Sequence, residues 1–327
     1  MSIFTNKSTV LPLPKDKMNT DYGVLLFGKA SFNNFDESKY YENGIINQKG
    51  KDFIYNALKD KHRSVFFGAR VVFEPNGRID LNKLTKNEIQ GLEWNGNQYS
   101  LGVFLALKWL YKKPTYISSG ILSQIENIVK KDYPACYEAM LKLPVNTVSE
   151  DDERLLESTS IQRVQFKVSM LIAVARQFVR HRGFDYTELS RRYTDKMIEF
   201  FKPSKWRKQA KKATDCSIEN EFVKEKKLFG FLNYKILVWL MQKWFFKNVN
   251  NENSKELCRI GLPQSMMTTL LMSGSLRTTI SFLSQRLDKH TQLETREVAM
   301  QVYDIACEEF GKELVDKLID IENRLIF

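Results

Sequence analysis

Cysteine and histidine are both scarce in this chain, and their scarcity removes several chemistries at once. The four cysteines, Cys136, Cys216, Cys258 and Cys307, are scattered through 327 residues. They show no CxxC spacing and no partnering histidine cluster, so neither a metal site nor a disulfide framework is indicated, and reduced thiols in a cytoplasmic protein are expected. The glycines include no GxGxxG spacing, which leaves out the Gly-rich dinucleotide fingerprint, and there is no internal repeat. Long apolar runs are missing too. The most apolar stretch, Leu228 to Phe246, is interrupted by Asn233, Lys235, Gln242 and Lys243, whereas a membrane span wants about 20 predominantly apolar residues. It reads instead as a buried helix. Met1 to Lys17 has no continuous apolar segment and does not read as a signal peptide.

What is present is enough apolar material for a substantial core, at 43% hydrophobic residues, and a formal charge of +11. The charge is uneven. Lys196 to Lys247 holds thirteen Lys or Arg against five Asp or Glu, a local excess of +8. Such a block suits an anionic cofactor tail or nucleic acid, but a charged face on a helical segment is the commoner cause. Tyr22 to Phe32 reads as a first strand and turn, Asp52 to Lys61 as a short helix, and Val65 to Phe73 as a strand. Leu101 to Tyr111 and Ile121 to Leu143 have helical apolar spacing, punctuated by Pro114, Pro134 and Pro144. Arg163 to Val168 alternates as a strand does and is expected to pair with Ala69 to Phe73. Ser169 to Val179 then reads as an apolar helix that Gly183 helps to stop.

That helix delivers the most distinctive stretch, Arg176-Gln177-Phe178-Val179-Arg180-His181-Arg182, followed by Glu188, Ser190, Arg191 and Arg192. Arginine offers a planar fork of five donors that grips phosphate bidentately. Ser190 adds a hydroxyl, and Gln177 and Glu188 can bond a base or sugar edge. The set suits a nucleotide.

The same run resembles the signature of the flavin-dependent thymidylate synthase family, Arg-His-Arg followed by Ser and a nearby Arg and preceded by Arg-Gln. Other stretches agree. Arg259-Ile260-Gly261-Leu262-Pro263 resembles the family's Arg-x-x-Leu-Pro, and Ser275-Leu276-Arg277 through Arg286 to His290 resembles its final Leu-Arg helix. Phe200 to Pro203 and Trp206 to Ala210 resemble its substrate loop. Lys61 to Gly68 is similar to the early His-x-Ser-Pro-Phe-Glu-His element at His62, Ser64 and Phe66, with Val65 in place of proline and Phe67-Gly68 in place of Glu-His. All three histidines of the chain, His62, His181 and His290, fall in these motifs.

The resemblance implies an α+β fold, a mixed sheet packed with long helices, as a single domain over 1–327. A folded insertion at 75–162 would stand where the family passes directly from strand to signature helix. It implies reductive methylation of dUMP to dTMP, with carbon from methylenetetrahydrofolate, hydride from reduced FAD and NADPH as electron donor. Arg286 would be catalytic, favouring the ionised pyrimidine at N3. Gln177, Arg180, Glu188, Ser190, Arg191, Arg192, Arg259 and Arg286 would bind dUMP. His62, Ser64, Arg180, His181, Arg182, Glu188, Ser275, Arg277, Ser281 and His290 would lie at the FAD, with Ser275 and Ser281 standing where the family usually has asparagine. The family's motifs meet from different chains of a homotetramer, so shared sites are expected, with no membrane partner. Arg277 and Arg286 are about 180° apart on an ideal helix, so one helix would address two partners. Two other readings stay open: a flavin- and folate-dependent dUMP hydroxymethylase on the same scaffold, and a non-catalytic nucleic-acid-binding homologue.

Overall fold

The computed structural model describes residues 20–29, 36–60, 63–66, 69–84, 86–144, 148–196, 198–210 and 217–325. The chain divides into two compact units, Met1–Asn146 with Ile326–Phe327, and Thr147–Leu325. Each has a hydrophobic core of its own, one built from residues between Val24 and Leu143 and the other from residues between Leu156 and Leu325. Among the described residues the mixture of helices with small sheets is α+β, as expected, but the expected mixed sheet is not found there: every strand pairing is antiparallel, in sheets of two or three strands.

In the first unit, helix α1 is Asp21–Lys29, β1 (Tyr41–Glu42) and β2 (Ile45–Ile46) form a short hairpin, and α2 is Gln48–Lys59. Asn47 starts α2, its side chain accepting a hydrogen bond from the Gly50 amide at 3.1 Å. Strand β3 (Arg70–Phe73) is followed by α3 (Lys86–Gly91), β4 (Leu92–Trp94), β5 (Tyr99–Gly102), α4 (Val103–Lys112), α5 (Ser119–Asp132) and α6 (Pro134–Leu141). The buried Asp21 carboxylate accepts the Ala135 and Cys136 amides at 2.8 and 3.2 Å. It thereby satisfies donors that the first turn of α6 cannot bond within the helix. Glu88 is also buried and accepts from Trp109 Nε1 at 3.1 Å and the Tyr116 hydroxyl at 3.2 Å, with Lys108 Nζ 3.2 Å away.

The second unit begins with α7 (Glu150–Ser158) and β6 (Arg163–Leu171), which passes without a loop into α8 (Ile172–Phe178). There follow β7 (Asp185–Glu188), the hairpin of β8 (Trp206–Gln209) and β9 (Ser217–Val223), α9 (Tyr234–Asn250) and α10 (Lys255–Cys258). Strand β10 (Met267–Ser275) runs directly into α11 (Leu276–Arg286), and α12 (Leu293–Phe310) and α13 (Lys312–Arg324) complete the unit. β10 is the central strand of an antiparallel sheet, in the order β6-β10-β7. Val164, Phe166 and Met170 alternate to one face of β6, and Thr268, Leu270 and Met272 to one face of β10, all buried. This period-two pattern gives the sheet one packed face.

Several expectations need correction. The stretch expected as a strand from Tyr22 is helical as far as it is described, in Asp21–Lys29, with Val24 and Leu25 on the buried side, and 30–32 lie outside the described residues. The segment Arg163 to Val168 is a strand, but its partner is β10, with Arg163 opposite Ser275 and Leu171 opposite Met267. β3 pairs instead with β5, from inside the span expected as an insertion. Residues on both sides of Pro75 therefore share one sheet and one core, while α7 belongs to the other unit. The helix expected over Ser169 to Val179 is shorter, since Ser169–Leu171 still lies in β6. Gly183 is not its stop. A Cβ there would lie 2.6 Å from Thr278 Cγ2, so glycine is required by close packing against α11. The apolar stretch around α9 is not buried: of that helix only Phe245 is, while Leu237, Trp239, Leu240, Met241 and Trp244 are exposed.

Candidate functional site

Helices α8 and α11 meet through the Phe178 and Phe282 rings, 4.9 Å apart and edge-on. Their contact places Arg286, the last residue of α11, beside the end of α8, where its Nη2 donates to the Gln177 carbonyl at 3.1 Å. The Arg286 Nε is buried and has no hydrogen-bond partner among the described residues. Burial pushes the Arg286 pKa down, nearby Tyr186 pushes it back up, and Arg180 opposes its charge. Two guanidinium groups thus act on one another in a partly desolvated place.

The turn after α8 is held from both sides. His181 packs its ring on Phe184 and Phe282, with centroids 5.7 and 5.5 Å away. The Tyr186 hydroxyl lies 2.6 Å from the Phe178 carbonyl and 3.0 Å from that of His181, so it donates into the end of α8. Burial raises the Tyr186 pKa, keeping it a neutral donor. Gly274 of β10 allows the Phe184 ring to approach the strand closely, where a Cβ would come within 2.5 Å of Cδ1. Arg180 and Arg182, on either side of the packed His181, are exposed.

β7 leads away from this place. Glu188 is two residues beyond Tyr186, on the same face and about 7 Å further along the strand. Its carboxylate accepts the Thr268 hydroxyl at 2.9 Å. Ser190 opens the next turn, its Oγ accepting the Arg192 amide at 3.3 Å. Arg191 is buried, donates to the Lys196 carbonyl at 2.6 Å, and has its pKa lowered by burial. Arg192 Nε lies 3.3 Å from Glu256 Oε1 of α10, and Lys255 Nζ lies 3.2 Å from Asp195. Arg259 follows α10 directly, in the turn Arg259–Gly261. That turn fits against α9 because Gly261 has no side chain: a Cβ would meet the Trp244 ring at 2.4 Å. The residues expected at dUMP therefore form two groups joined by β7. Gln177, Arg180 and Arg286 surround the end of α8, and Ser190, Arg192 and Arg259 surround α10.

The residues expected at FAD are less gathered. Ser275 caps α11, accepting the Thr278 amide and donating to its hydroxyl, both at 3.1 Å. Arg277 Nη1 is 2.8 Å from Glu322 Oε2 of α13 and its Nε is 3.6 Å from Glu157 Oε1 of α7. Neither contact is an aligned hydrogen bond, so the attraction is mainly electrostatic. Arg277 thus faces α7 and α13 while Arg286 faces α8, the half-turn separation expected from helical arithmetic. Ser281 is half-buried on α11, and His290 is exposed just beyond it, its amide donating to Asp288 at 2.8 Å. His62, Phe67 and Gly68 lie outside the described residues, as does the Ser64 side chain.

Sequence reasoning missed Tyr186 and the polar chain around Gln177. The Gln177 amide donates to Gln292 Oε1 at 2.6 Å and accepts the Thr295 hydroxyl at 3.0 Å. Gln292 in turn donates to Glu294 at 2.9 Å, and Arg207 Nη2 reaches both Glu294 oxygens at 2.7 and 2.8 Å. The available signal was Gln292 and Glu294 at the opening of an apolar-periodic helix, where acidic and amide side chains often do local capping.

A family model described as thymidylate synthase complementing protein matches residues 106–310, more than half of the chain. The chain belongs to that family. The family match covers both groups of arginines and takes in most of the span expected as an insertion. Among named relatives, the flavin-dependent thymidylate synthase of Pseudothermotoga lettingae is 30% identical over 142 residues, 43% of this chain and 59% of that protein. The one from Dictyostelium discoideum is 29% identical over 196 residues, 55% of this chain and 65% of that protein. The chain thus spans under two thirds of the length of these relatives. Among solved structures, the UMP/dUMP methylase PolB from Streptomyces cacaoi, bound with 5-Br dUMP, has 16% identity and a TM-score of 0.40, covering 58% of this chain and 86% of that one. That likeness is too distant to argue from.

Proposed function

We propose that this member of the thymidylate synthase complementing protein family methylates dUMP to dTMP, using methylenetetrahydrofolate and FAD with NADPH as electron donor. The observation that carries the reading is Arg286, a guanidinium whose buried Nε has no partner among the described residues. A buried donor without an acceptor is costly unless a ligand supplies one. Burial and Arg180 both disfavour the Arg286 charge, so an anion beside it relieves two penalties together. An ionised pyrimidine N3 is such an anion, and holding it ionised makes the ring more nucleophilic. The Gln177 amide retains one N–H and one lone pair for a base or sugar edge, and Arg180, Arg192 and Arg259 are of the type that holds phosphate.

For FAD, the exposed Arg180, Arg182 and His290 are of the type that suits a pyrophosphate-bearing cofactor, whereas Arg277 is committed to Glu322 and Glu157. Reduced FAD, when bound, supplies the hydride. The separation of the two arginine groups along β7 and the exposed apolar side of α9 support a homo-oligomer, a tetramer by the family resemblance, with sites completed between copies. Among the described residues no helix is long and apolar enough to cross a membrane, and a cytoplasmic protein is part of the proposal. The test is to incubate the purified chain with dUMP, methylenetetrahydrofolate, FAD and NADPH and identify the nucleotide by mass. A methylated product supports the reading, a hydroxymethylated one transfers it to a hydroxymethylase, and unchanged dUMP refutes it.

A further inference from the structure

We propose that Glu294 and Arg207 are positioning residues that set the Gln177 amide and thereby the face it offers to the nucleotide. The inference deepens the reading above and rests on it. Every link of the polar chain points toward Glu294. The Thr295 hydroxyl donates to Gln177 Oε1, Gln177 Nε2 to Gln292 Oε1, Gln292 Nε2 to Glu294, and Arg207 closes the chain on the same carboxylate. A carboxylate can only accept, so its charge fixes the direction of both amides. Aligned amide dipoles in a partly dry place reinforce one another. The side chains of Arg207 and Glu294 are only 17% and 10% exposed, and Thr295 is fully buried, so water competes weakly.

The chain has an external end and an internal one. Arg207 lies on the β8–β9 hairpin, whose Phe222 and Val223 are about half exposed, and its Nε also donates to Ser217 Oγ at 3.0 Å across that hairpin. The other end is Gln177, whose carbonyl accepts from Arg286. Strand β8, which the family resemblance assigns to the substrate loop, is thus wired to the residue beside Arg286. Replacing Glu294 with glutamine keeps the shape but lets the terminal group donate as well as accept, so both amides lose their assigned direction.

The test uses the full chain with FAD added. Hydrogen exchange needs no nucleotide and reads the wiring itself. E294Q and the hairpin-side variant R207Q should both accelerate exchange in 206–209 and in the amides of Val179 and His181, which close the end of α8. Acceleration confined to the hairpin would overturn the proposal. Calorimetric binding of dUMP then reads the consequence. E294Q and Q177M should each weaken binding about tenfold, the worth of one good hydrogen bond, and the double variant should be no weaker than Q177M alone. Additive losses, or E294Q binding within twofold of the parent, would overturn it. Coupled exchange in a parent chain that binds no dUMP would support the wiring and sink the proposed function.

Discussion

Replacing Arg277 with methionine separates the structural use of this arginine from the cofactor use that family resemblance assigns to it. Arg277 and Glu322 have side chains 11% and 4% exposed, with Nη1 and Oε2 2.8 Å apart. Methionine keeps the length and the apolar stem but leaves Glu322 without its arginine. Removing one partner of a buried pair costs about 3–5 kcal/mol. The lower end applies, because Glu157, the second carboxylate, is 46% exposed and already solvated. For a unit of this size each kcal/mol moves Tm by roughly 2–4 °C, so R277M should lower the second unit's transition by about 6–12 °C. R277M/E322L should recover most of that loss, since replacing both charges by apolar groups is often nearly neutral. Calorimetry of the parent, both single variants and the double gives the cycle, and FAD titration of the same samples gives cofactor affinity. An R277M protein with unchanged Tm but FAD binding more than tenfold weaker would refute the structural reading.

Four further outcomes follow from the same geometry. R286K keeps a charge but loses the planar fork, and should reduce turnover by about 10²–10³-fold with a smaller effect on dUMP affinity; activity within a fewfold would remove Arg286 from the chemistry. G183A pushes a methyl to 2.6 Å from Thr278 Cγ2 and should cost about 1–3 kcal/mol by denaturant unfolding, with T278A restoring much of it. Deleting 75–162 removes β5 from its pairing with β3 together with most of the first core, so insoluble protein is expected, whereas residues 1–146 expressed alone should melt cooperatively. Burial raises the Glu294 pKa, but hydrogen bonds from Arg207 and Gln292 outweigh it and hold the carboxyl below its ordinary 4.5. Its contribution is therefore present above that value and lost as pH falls through the lowered one, so the stability gap between parent and E294Q should be flat near neutrality and shrink in acid.

The parts of this molecule that were legible in the sequence are those that one short segment determines. Arg180 to Arg192 spans a turn and a strand, and its spacing alone puts Arg180 before β7 and Ser190 and Arg192 after it. The opposition of Arg277 and Arg286 needed only the helical repeat. Strand pairing was not legible in the same way. Arg163 to Val168 alternates well enough to be recognised as a strand, but its partner lies more than a hundred residues away in β10, and any strand with one apolar face would have matched it locally. The helix at Asp21–Lys29 was missed because aromatic and aliphatic residues dominate it, and composition weighed more than period. α9 misled for another reason. Leucines and tryptophans surround it on nearly all sides, and that pattern alone does not separate a buried helix from an exposed apolar one.

Gln177 shows why the chemistry of this site could not be assigned residue by residue. Its backbone carbonyl holds Arg286, while its side chain is held by Gln292 and Thr295 at the start of α12. Arg286 therefore depends on the position of α8, α8 on the end of α12, and α12 through Glu294 on Arg207 of the β8–β9 hairpin. The other side of α11 is anchored separately, by Arg277 to α13 and α7. A helix fixed on one face by a buried ion pair and offering an arginine on the other can hold that arginine still while a charge develops beside it. Preorganisation of this kind is what electrostatic catalysis requires, and it follows from the half-turn between two arginines nine positions apart.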